Sequence, residues 1–488
     1  MTVTSNMPST TNNSSNSKLQ ARPLHVVFIH LDLGIGGAEQ LVLQLATASA
    51  ALGHKIDLVT TRCEPNHCFA AVKPGGALHH TLHVWGQWIP ANIAGYGQAA
   101  CSTVRLLYLA YRVARKKSPD VIVLDVLPTP LAFLTSTNAA LLFYCHFPDK
   151  LLTRTQNPSK LSRLYRSLMD AVEERSMQSA DVCVVNSLFT RRTVLTTFTK
   201  LRTAWPELPV VYPALDTSSL DSAISNVAND KTAKGQKVVF VSLNRFERKK
   251  NLGLLLEAAA WLRQNHPKLP APTIIIAGGY DVKNVENVQY RAELGQLADE
   301  LQVPTEFVHS ISDAKRAELL QTATAVIYTP ANEHFGIVPL EAMYAGTPVV
   351  AVNSGGPTET VRDGTTGFLC QPSAAGFGKA LSTLMQNPAQ TVRMGQAARK
   401  HVQDTFGEDR LQQEWKQVLE DALVRGRARM AARGNYHLAR TIIYCLEAIL
   451  TLLVCLLLTW LLRQLGLVEP SESIWGTVRR AVVRGDEL

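Results

Sequence analysis

Residues 329–342 of the chain read TPANEHFGIVPLEA. The apolar run Ala325–Thr329 predicts a buried strand that ends where this segment begins, and Pro339 suits the first turn of a helix that starts near Ile337. Gly336 allows the backbone to bend close to a ligand at the helix start. The first amides of a helix have no partner within the helix, and they favour an anion such as a diphosphate. This order of strand, ligand-binding loop and helix predicts an open α/β domain.

The same segment holds two glutamates, Glu333 and Glu341, with seven residues between them. Glu341 falls one turn inside the predicted helix, where a carboxylate can accept hydrogen bonds from two sugar hydroxyls. Glu333 falls in the preceding loop and is expected to face a cleft. Paired carboxylates also occur in glycoside hydrolases. A helix start suited to phosphate favours sugar-phosphate binding instead, and an ordinary capping charge is the alternative for either glutamate alone.

Strands and helices alternate through most of the chain, which predicts two α/β domains with parallel sheets. A polar stretch from about Asp216 to Gly235 is expected to link them. The first domain is predicted to contain strands Leu24–His30, Ile56–Thr60, Val121–Asp125, Leu141–Cys145, Asp181–Asn186 and Val210–Tyr212, with helices Gln40–Gly53 and Thr103–Lys116. The second is predicted to contain strands Val238–Ser242, Thr273–Gly278, Glu306–His309, Ala325–Thr329 and Val349–Val352, with helices Leu252–Gln264, Tyr290–Leu301 and Ala314–Thr322.

A basic loop, NRFERKKN at residues 244–251, follows the first strand of the second domain. Parallel sheets bind ligands at the carboxyl ends of their strands, where this loop lies. Arg245 can hold two phosphate oxygens with its planar guanidinium, and Lys250 can supply a point charge. A solvated charge run is the alternative interpretation.

The first domain has a glycine-rich turn, Asp32–Glu39, between its first strand and helix. Gly34, Gly36 and Gly37 do not match the dinucleotide fingerprint G-x-G-x-x-G, and no acid ends the second strand, which argues against an oxidoreductase. A tight turn without a ligand is the alternative for this loop.

His146 ends another strand of the first domain, in FYCHFPD, and is predicted to face the same cleft. A purely structural histidine is the alternative. Cys63, His67 and Cys68 give three closely spaced ligands without a distant partner pair, which is a weak zinc pattern. No G-x-S-x-G elbow supports a serine hydrolase.

The segment from Ile442 to Leu462 is 21 residues long and contains 18 apolar residues, enough to span a bilayer as a helix. Arginines precede it without acids, which predicts that everything N-terminal to it is cytosolic. The polar N-terminal tail has no apolar core typical of a signal peptide, and the final GDEL only faintly resembles a retention signal.

The chain carries a net charge of +9, from 49 Lys and Arg against 40 Asp and Glu. An excess of this size suits an anionic ligand, a membrane surface or nucleic acid. Nine arginines and five acids after residue 421 contribute +4, beside the apolar segment, and Arg245–Lys250 is the main concentration elsewhere. The excess therefore divides between a membrane anchor and an anion pocket, and we expect no nucleic-acid partner.

Together these features resemble the retaining, nucleotide-sugar-dependent glycosyltransferases of family 4, which have the GT-B fold. The matching elements are Glu333-x7-Glu341, Arg245-x4-Lys250, Gly36-Gly37 and the stretch NSGGP at 353–357. Within that family the segments FIHLDLGIGGAEQLVL, FYCHFPD, LNRFERKKN, AGGYD and TPANEHFGIVPLEAM resemble the eukaryotic α-1,3/1,6-mannosyltransferases of the dolichol-linked oligosaccharide pathway. The resemblance covers about residues 24–420.

The resemblance implies a role for each site residue. Arg245 and Lys250 would neutralise the diphosphate of GDP-mannose, Glu341 would hold its ribose and Glu333 its mannose. The implied catalytic residues are Glu333, His146 and Lys250, and the implied donor-binding residues are Gly37, Arg245, Lys250, Glu333, His334, Phe335, Gly336, Ile337, Val338 and Glu341. Neither a metal ion nor another cofactor is expected.

The resemblance also implies the domain arrangement: an α/β GT-B fold of two Rossmann-like domains facing a cleft, with a C-terminal membrane helix. The expected parts are a disordered polar tail (1–22), an acceptor-side domain (23–215), a linker (216–236), a nucleotide-sugar domain (237–400), an amphipathic helix (401–424) and a basic segment with the membrane helix and tail (425–488).

The implied activity is transfer of α-1,3- and α-1,6-linked mannose from GDP-mannose to Man1GlcNAc2-PP-dolichol, which gives Man3GlcNAc2-PP-dolichol with retention at the anomeric carbon. The catalytic domains would lie on the cytosolic face of the endoplasmic reticulum membrane, and other early lipid-linked oligosaccharide transferases are possible partners. The alternatives are another GT-B transferase with a different donor or acceptor, and a non-catalytic membrane scaffold.

Overall fold

A computed structural model describes residues 22–92, 98–152, 160–217, 220–221 and 237–432 of the chain. These residues form two parallel six-stranded sheets, as the alternation of strands and helices predicts. The predicted polar tail, most of the linker and the predicted membrane helix at 442–462 lie outside the described residues. None of the helices within the described part of the chain is long and apolar enough to cross a membrane.

The first domain is a parallel sheet in the order β3-β2-β1-β4-β5-β6. Its strands are almost entirely buried apolar runs, as expected for a sheet that is covered by helices on both faces. Its elements are β1 (His25–Ile29), α1 (Gly37–Ala51), β2 (Lys55–Thr60), β3 (Leu82–Val84), α2 (Gln98–Lys116), β4 (Val121–Leu124), α3 (Pro130–Leu134), β5 (Ala140–Cys145), α4 (Asp149–Leu152), α5 (Lys160–Met177), β6 (Val182–Val185), α6 (Leu188–Thr197) and α7 (Thr199–Ala204).

The second domain repeats this topology in the order β9-β8-β7-β10-β11-β12. Its elements are β7 (Val239–Leu243), α8 (Gly253–Asn265), β8 (Thr273–Gly278), α9 (Val285–Glu300), β9 (Thr305–His309), α10 (Asp313–Thr322), β10 (Ala325–Tyr328), α11 (Ile337–Tyr344), β11 (Val349–Val352), α12 (Pro357–Thr360), β12 (Gly367–Cys370), α13 (Ala374–Gln386), α14 (Pro388–Thr405) and α15 (Glu408–Ala431).

In both sheets the order in which strands are added reverses beside the first strand, between β1 and β4 and between β7 and β10, while all strands stay parallel. A parallel sheet opens a crevice at such a switch point, outside the carboxyl ends of the strands. The loops that follow these strands therefore lie where a ligand can bind.

The helical region at the end of the described chain differs from the expected single helix at 401–424. Helix α14 ends at Thr405, and α15 begins at Glu408 after a break at Phe406–Gly407. Helix α15 then packs on the first domain: the buried Trp415 indole stacks on Phe28 with 6.2 Å between ring centroids. Because α14 belongs to the second domain, this connection returns the chain to the first.

Two short edge strands, β3 and β12, are absent from the sequence prediction. Their sequences, LHV and GFLC, contain a histidine and a glycine, so they lack the unbroken apolar run by which the central strands are recognised. Conversely, the predicted strand at Val210–Tyr212 is wrong, because only Val210 forms an isolated bridge, to Val185.

Candidate active site

A cavity of about 560 Å³ lies between the carboxyl ends of the two sheets. Both domains contribute to its wall. Of the site residues predicted from the sequence, all except Glu341 line it, namely Gly37 and His146 from the first domain and Arg245, Lys250, Glu333, His334, Phe335, Gly336, Ile337 and Val338 from the second.

The loop between β10 and α11 forms one side of this cavity. Gly336 has φ of 85° and ψ of 84°, a left-handed conformation that favours glycine, and α11 begins directly after it at Ile337. The predicted helix start is therefore confirmed, and its first-turn amides border the cavity. The arrangement suits an anionic group.

Lys250 and Glu333 form an ion pair in the cavity wall, with 2.5 Å between Nζ and Oε1. Lys250 follows the first strand of the second domain and Glu333 follows its fourth, so the pair bridges the switch point of this sheet. The lysine side chain is 12% exposed and the carboxylate 26% exposed. The structure thus unites two residues that are 83 positions apart in the sequence.

The other cations of the basic loop have different partners. Arg245 lines the cavity and lies 2.9 Å from the Glu247 carboxylate. Lys249 binds the same carboxylate at 3.0 Å, is 66% exposed and is not among the residues that line the cavity. Arg248 pairs with Glu293 on the surface of the second domain. Of the four basic residues, Arg245 and Lys250 are therefore the two that the structure directs to the cavity.

Glu341 is not among the residues that line the cavity; its side chain is 17% exposed and is paired with Arg316. Arg316 lines the cavity and is a residue that the sequence analysis does not identify. Burial raises the pKa of Glu341, and the Arg316 guanidinium partly opposes this rise. The pair gives the carboxylate a charged partner beside the position expected for a ribose.

His334 is held between the domains. Its ring stacks on Phe147 of the first domain, with 3.7 Å between the ring centroids and 8° between the planes. Burial lowers the pKa of His334 to about 4; the nearby Lys250 and His146 also lower it, whereas Glu333 acts in the opposite direction. The imidazole is therefore neutral near pH 7 and offers the cavity a hydrogen-bonding group without charge.

His146 belongs to a buried network at the carboxyl ends of β1, β4 and β5. Its Nε2 lies 3.0 Å from Asp125 Oδ2, and the same oxygen lies 2.8 Å from Nδ1 of His30. Burial alone would raise the pKa of Asp125 and lower that of His30. Their mutual attraction, with the help of His146, instead lowers the pKa of Asp125 to about 2 and raises that of His30. Asp125 therefore remains ionised and orients the His146 ring.

Asp125, His30 and Arg316 are not identified from the sequence. No motif surrounds Asp125 or Arg316, and nothing within FIHLDLGIGGAEQLVL marks His30 as a site residue. Asp125 and His30 each end a predicted strand, and only the pairing of β1 with β4 brings the two ends together. A polar residue at the end of an apolar strand next to a switch point is the available signal. Within the described ranges, no group of three or more His, Cys, Asp or Glu residues could hold a metal ion.

Two family models match this chain. The model described as Glycosyltransferase Family 4 matches residues 35–219, and the model described as Glycosyl transferases group 1 matches residues 225–401. The first match falls on the first α/β domain and the second on the domain that carries the Lys250–Glu333 pair.

The chain is also similar to a relative from Homo sapiens, the alpha-1,3/1,6-mannosyltransferase ALG2. The two are 40% identical over 391 residues, which cover 78% of this chain and 92% of the relative. Similarity therefore extends over almost the whole length of that protein.

Solved structures resemble the chain in fold. Sucrose-phosphate synthase from Thermosynechococcus elongatus has a TM-score of 0.62 at 20% identity and covers 81% of this chain and 98% of its own. Anabaena Alr3699/HepE in complex with UDP has a TM-score of 0.58 at 20% identity and covers 81% of this chain and 100% of its own. The likeness supports a GT-B-like arrangement of two Rossmann-like domains.

Proposed function

The chain belongs to the alpha-1,3/1,6-mannosyltransferase family of glycosyltransferases, and from this premise we propose how its cavity acts. The proposed reaction transfers α-1,3- and α-1,6-linked mannose from GDP-mannose to Man1GlcNAc2-PP-dolichol, with retention at the anomeric carbon. The observation that carries the proposal is the cavity itself, in which the Lys250–Glu333 pair of one domain meets His146 of the other.

The second domain is the proposed donor site. Arg245, Lys250 and the first-turn amides of α11 would surround the diphosphate of GDP-mannose. Negative charge develops on this leaving group as its bond to the mannose C1 breaks, and preorganised donors stabilise that charge most effectively where water is excluded. Glu341 would accept hydrogen bonds from the ribose hydroxyls beside Arg316.

The mannose would lie between Glu333 and the first domain. Glu333 would accept hydrogen bonds from its hydroxyls, and His146 and neutral His334 would contact it from either side. The acceptor hydroxyl would attack C1 on the face that the diphosphate leaves and pass its proton to the departing phosphate oxygen. This same-face geometry accounts for retention.

We expect the reaction to need no metal ion, because cations and helix amides of the protein itself would balance the diphosphate. The rate of mannose transfer should be unchanged when a chelator such as EDTA replaces added magnesium. A rate that collapses with EDTA and returns with Mg²⁺ would contradict this part of the proposal.

The apolar segment 442–462 is the proposed membrane anchor, and it would hold the catalytic domains on the cytosolic face of the endoplasmic reticulum membrane. Protease added outside intact microsomes should digest the two domains. Protection of the domains would contradict the orientation.

The assignment of the donor site is tested by substitution of two adjacent lysines, Lys250 and Lys249. The full-length chain in lipid nanodiscs receives GDP-mannose and the Man1GlcNAc2-PP lipid, and transfer is followed by mass analysis. Lys250→Ala should lower kcat by about a hundredfold, because it removes a charge next to the leaving group. Lys249→Ala, the matched control, should stay within about twofold of the wild type, because Lys249 is exposed and does not line the cavity.

Equal rates for both lysine variants and the wild type would reject this site. UDP-glucose supplied in a separate reaction without GDP-mannose tests the donor, since HepE is found in complex with UDP. The reactions are kept separate because glucose and mannose have the same mass. Transfer from UDP-glucose in place of GDP-mannose would favour a different GT-B transferase, and no transfer from any donor would favour a scaffold.

A further inference from the structure

Glu359 of the second domain binds a helix of the first. Its carboxylate accepts hydrogen bonds from the backbone N–H groups of Leu188, at 2.7 Å, and Phe189, at 2.6 Å. These are the first two residues of α6. A carboxylate at a helix start is favoured by the unpaired amides and by the helix dipole.

A further interdomain hydrogen bond lies next to the two that Glu359 accepts from α6. Ser187, the N-cap of α6, accepts a hydrogen bond from the Thr190 N–H at 3.0 Å, and its hydroxyl donates to the His334 carbonyl at 2.6 Å. The first turn of α6 is therefore held in part by groups from the other domain. His334 also stacks on Phe147 of the first domain. The segments that carry His334 and Glu359 therefore contact the same region of the first domain.

Tyr212 provides the third contact with Glu359. Its hydroxyl donates to Oε2 of that carboxylate at 2.9 Å. The Tyr212 ring packs against Phe335, with 5.7 Å between centroids, and against Phe406 at 5.4 Å. Burial and then Glu359 raise the pKa of Tyr212, so the hydroxyl stays protonated and able to donate.

Glu359 lies in the short helix α12, and the two glycines before this helix, Gly355 and Gly356, pack on the backbone of the cavity loop. The Gly356 N–H donates to the Glu333 carbonyl at 2.7 Å. A Cβ added at Gly355 would lie 2.5 Å from the Glu333 carbonyl oxygen, and one added at Gly356 would lie 2.1 Å from that of Phe335. The contact is too close for a side chain, so the backbone before α12 and the backbone of the cavity loop are packed directly against each other.

We propose that Glu359 is an interdomain latch, a positioning residue that holds α6 against the cavity loop so that His146 and the Lys250–Glu333 pair face one substrate. The inference rests on the proposed function for its kinetic readout alone. GDP is expected to bind the second domain whether or not the latch is closed. Transfer needs both domains, so it should depend on the latch.

The test compares Glu359→Gln with Glu306→Gln, an exposed carboxylate on β9 of the same domain. A glutamine has no charge and one acceptor oxygen, so it cannot hold both amides and the tyrosine equally well. In the full-length chain, Glu359→Gln should lower kcat about tenfold while the Kd for GDP stays within about twofold of the wild type. Glu306→Gln should match the wild type in both kcat and the Kd for GDP.

Amide hydrogen exchange provides a readout that does not require activity. Peptides that cover the start of α6 should exchange faster in Glu359→Gln than in the wild type or in Glu306→Gln, because the amides of Leu188 and Phe189 lose their acceptor. Tyr212→Phe keeps the ring packing, removes one bond to Glu359 and should show the same change to a smaller degree.

The outcomes separate the latch from the proposed function. Unchanged kcat and unchanged exchange in Glu359→Gln would overturn the latch even if the wild type transfers mannose. A parallel loss of GDP affinity and kcat would also overturn it, because it would indicate local distortion of the donor site. If the wild type transfers no mannose, the proposed function fails, and exchange at α6 alone decides the latch.

Discussion

Single charged residues decide the charge distribution of the cavity. Asp125 acts on the cavity through His146, whose ring it orients. Its side chain is 2% exposed and is shared by His30 and His146. Asp125→Asn would leave the buried His30 without its nearest carboxylate, with only Glu39 remaining at 4.0 Å. Breaking a buried ion pair typically costs about 3 kcal/mol or more in the free energy of unfolding. Urea unfolding at neutral pH should show a loss of this size, whereas Asp299→Asn on the exposed face of α9 should lose little.

The low pKa of Asp125 also predicts a pH dependence. The pKa of this carboxyl is about 2 in the folded protein, against an ordinary value of 3.8. Its ionised form therefore stabilises the folded protein above about pH 4, and this stabilisation is lost as the pH falls from about 4 to about 2. The contribution is about 2 kcal/mol. The free energy of unfolding should therefore fall more steeply between about pH 5 and pH 2 in the wild type than in Asp125→Asn. Parallel curves would contradict the buried network.

Arg316 predicts a pH dependence of donor binding. Burial already raises the pKa of Glu341, and removal of the Arg316 charge would raise it further. A protonated carboxyl accepts fewer hydrogen bonds from ribose hydroxyls. Arg316→Met should therefore bind GDP more weakly at about pH 6 than at about pH 8, with a larger difference than the wild type, as calorimetry can measure. The same small pH effect in both proteins would contradict the assigned partnership.

At the scale of elements, the loops around the cavity depend on close backbone contact. Gly356→Ala would place a Cβ 2.1 Å from the Phe335 carbonyl oxygen, whereas Gly364 has open space for a Cβ and a φ of 71°. Gly364→Ala should therefore cost about 1 kcal/mol of stability from backbone strain alone. Gly356→Ala should cost more and also lower the transfer rate, since the loop under Glu333 must shift. Equal effects of Gly356→Ala and Gly364→Ala on the rate of mannose transfer would argue against this contact.

The packing of helix α15 predicts that a substitution far from the cavity has a large effect on the free energy of unfolding. Trp415 is fully buried against the first domain, and its indole N–H donates to Ser49 Oγ at 2.8 Å. Trp415→Ala should lower the free energy of unfolding by about 3–5 kcal/mol, as large aromatic truncations do. Trp415→Phe should retain most of the packing and lose less. Thermal unfolding of both variants measures the difference, and equal losses would argue against packing as the cause.

The same helix shows what sequence patterns could not predict. The period of residues 401–424 indicates a helix, but the break at Phe406–Gly407 and the return to the first domain depend on tertiary packing. Arg429, counted with the basic residues before the apolar segment, instead pairs with Asp181 at 2.8 Å and donates to the Thr135 and Ala139 carbonyls. A charge pattern alone cannot separate a membrane-facing arginine from one that binds the first domain.

At the scale of the whole molecule, the sequence predicts the architecture well because each domain is a series of local units. Every strand that precedes a predicted site residue is an apolar run of four to six residues, followed by a loop with a recognisable composition. Motifs at the ends of those strands locate Lys250, Glu333 and Gly336. The relations between units require the fold: the Asp125 network, the Arg316–Glu341 pair and the Glu359 contacts each join residues from separate parts of the chain.

The assembled molecule presents one cavity with cations and helix amides on one side and the oriented His146 on the other. Both mannoses are expected to be added to the acceptor in this one cavity. Mass analysis of the products from GDP-mannose and Man1GlcNAc2-PP lipid, followed by linkage-specific mannosidase digestion, tests the claim most directly. We expect a final product two hexoses heavier than the acceptor, with one α-1,3 and one α-1,6 linkage, and a rate of its formation about a hundredfold lower with Lys250→Ala. A product that stops at one hexose, or two mannoses in a single linkage, would contradict it.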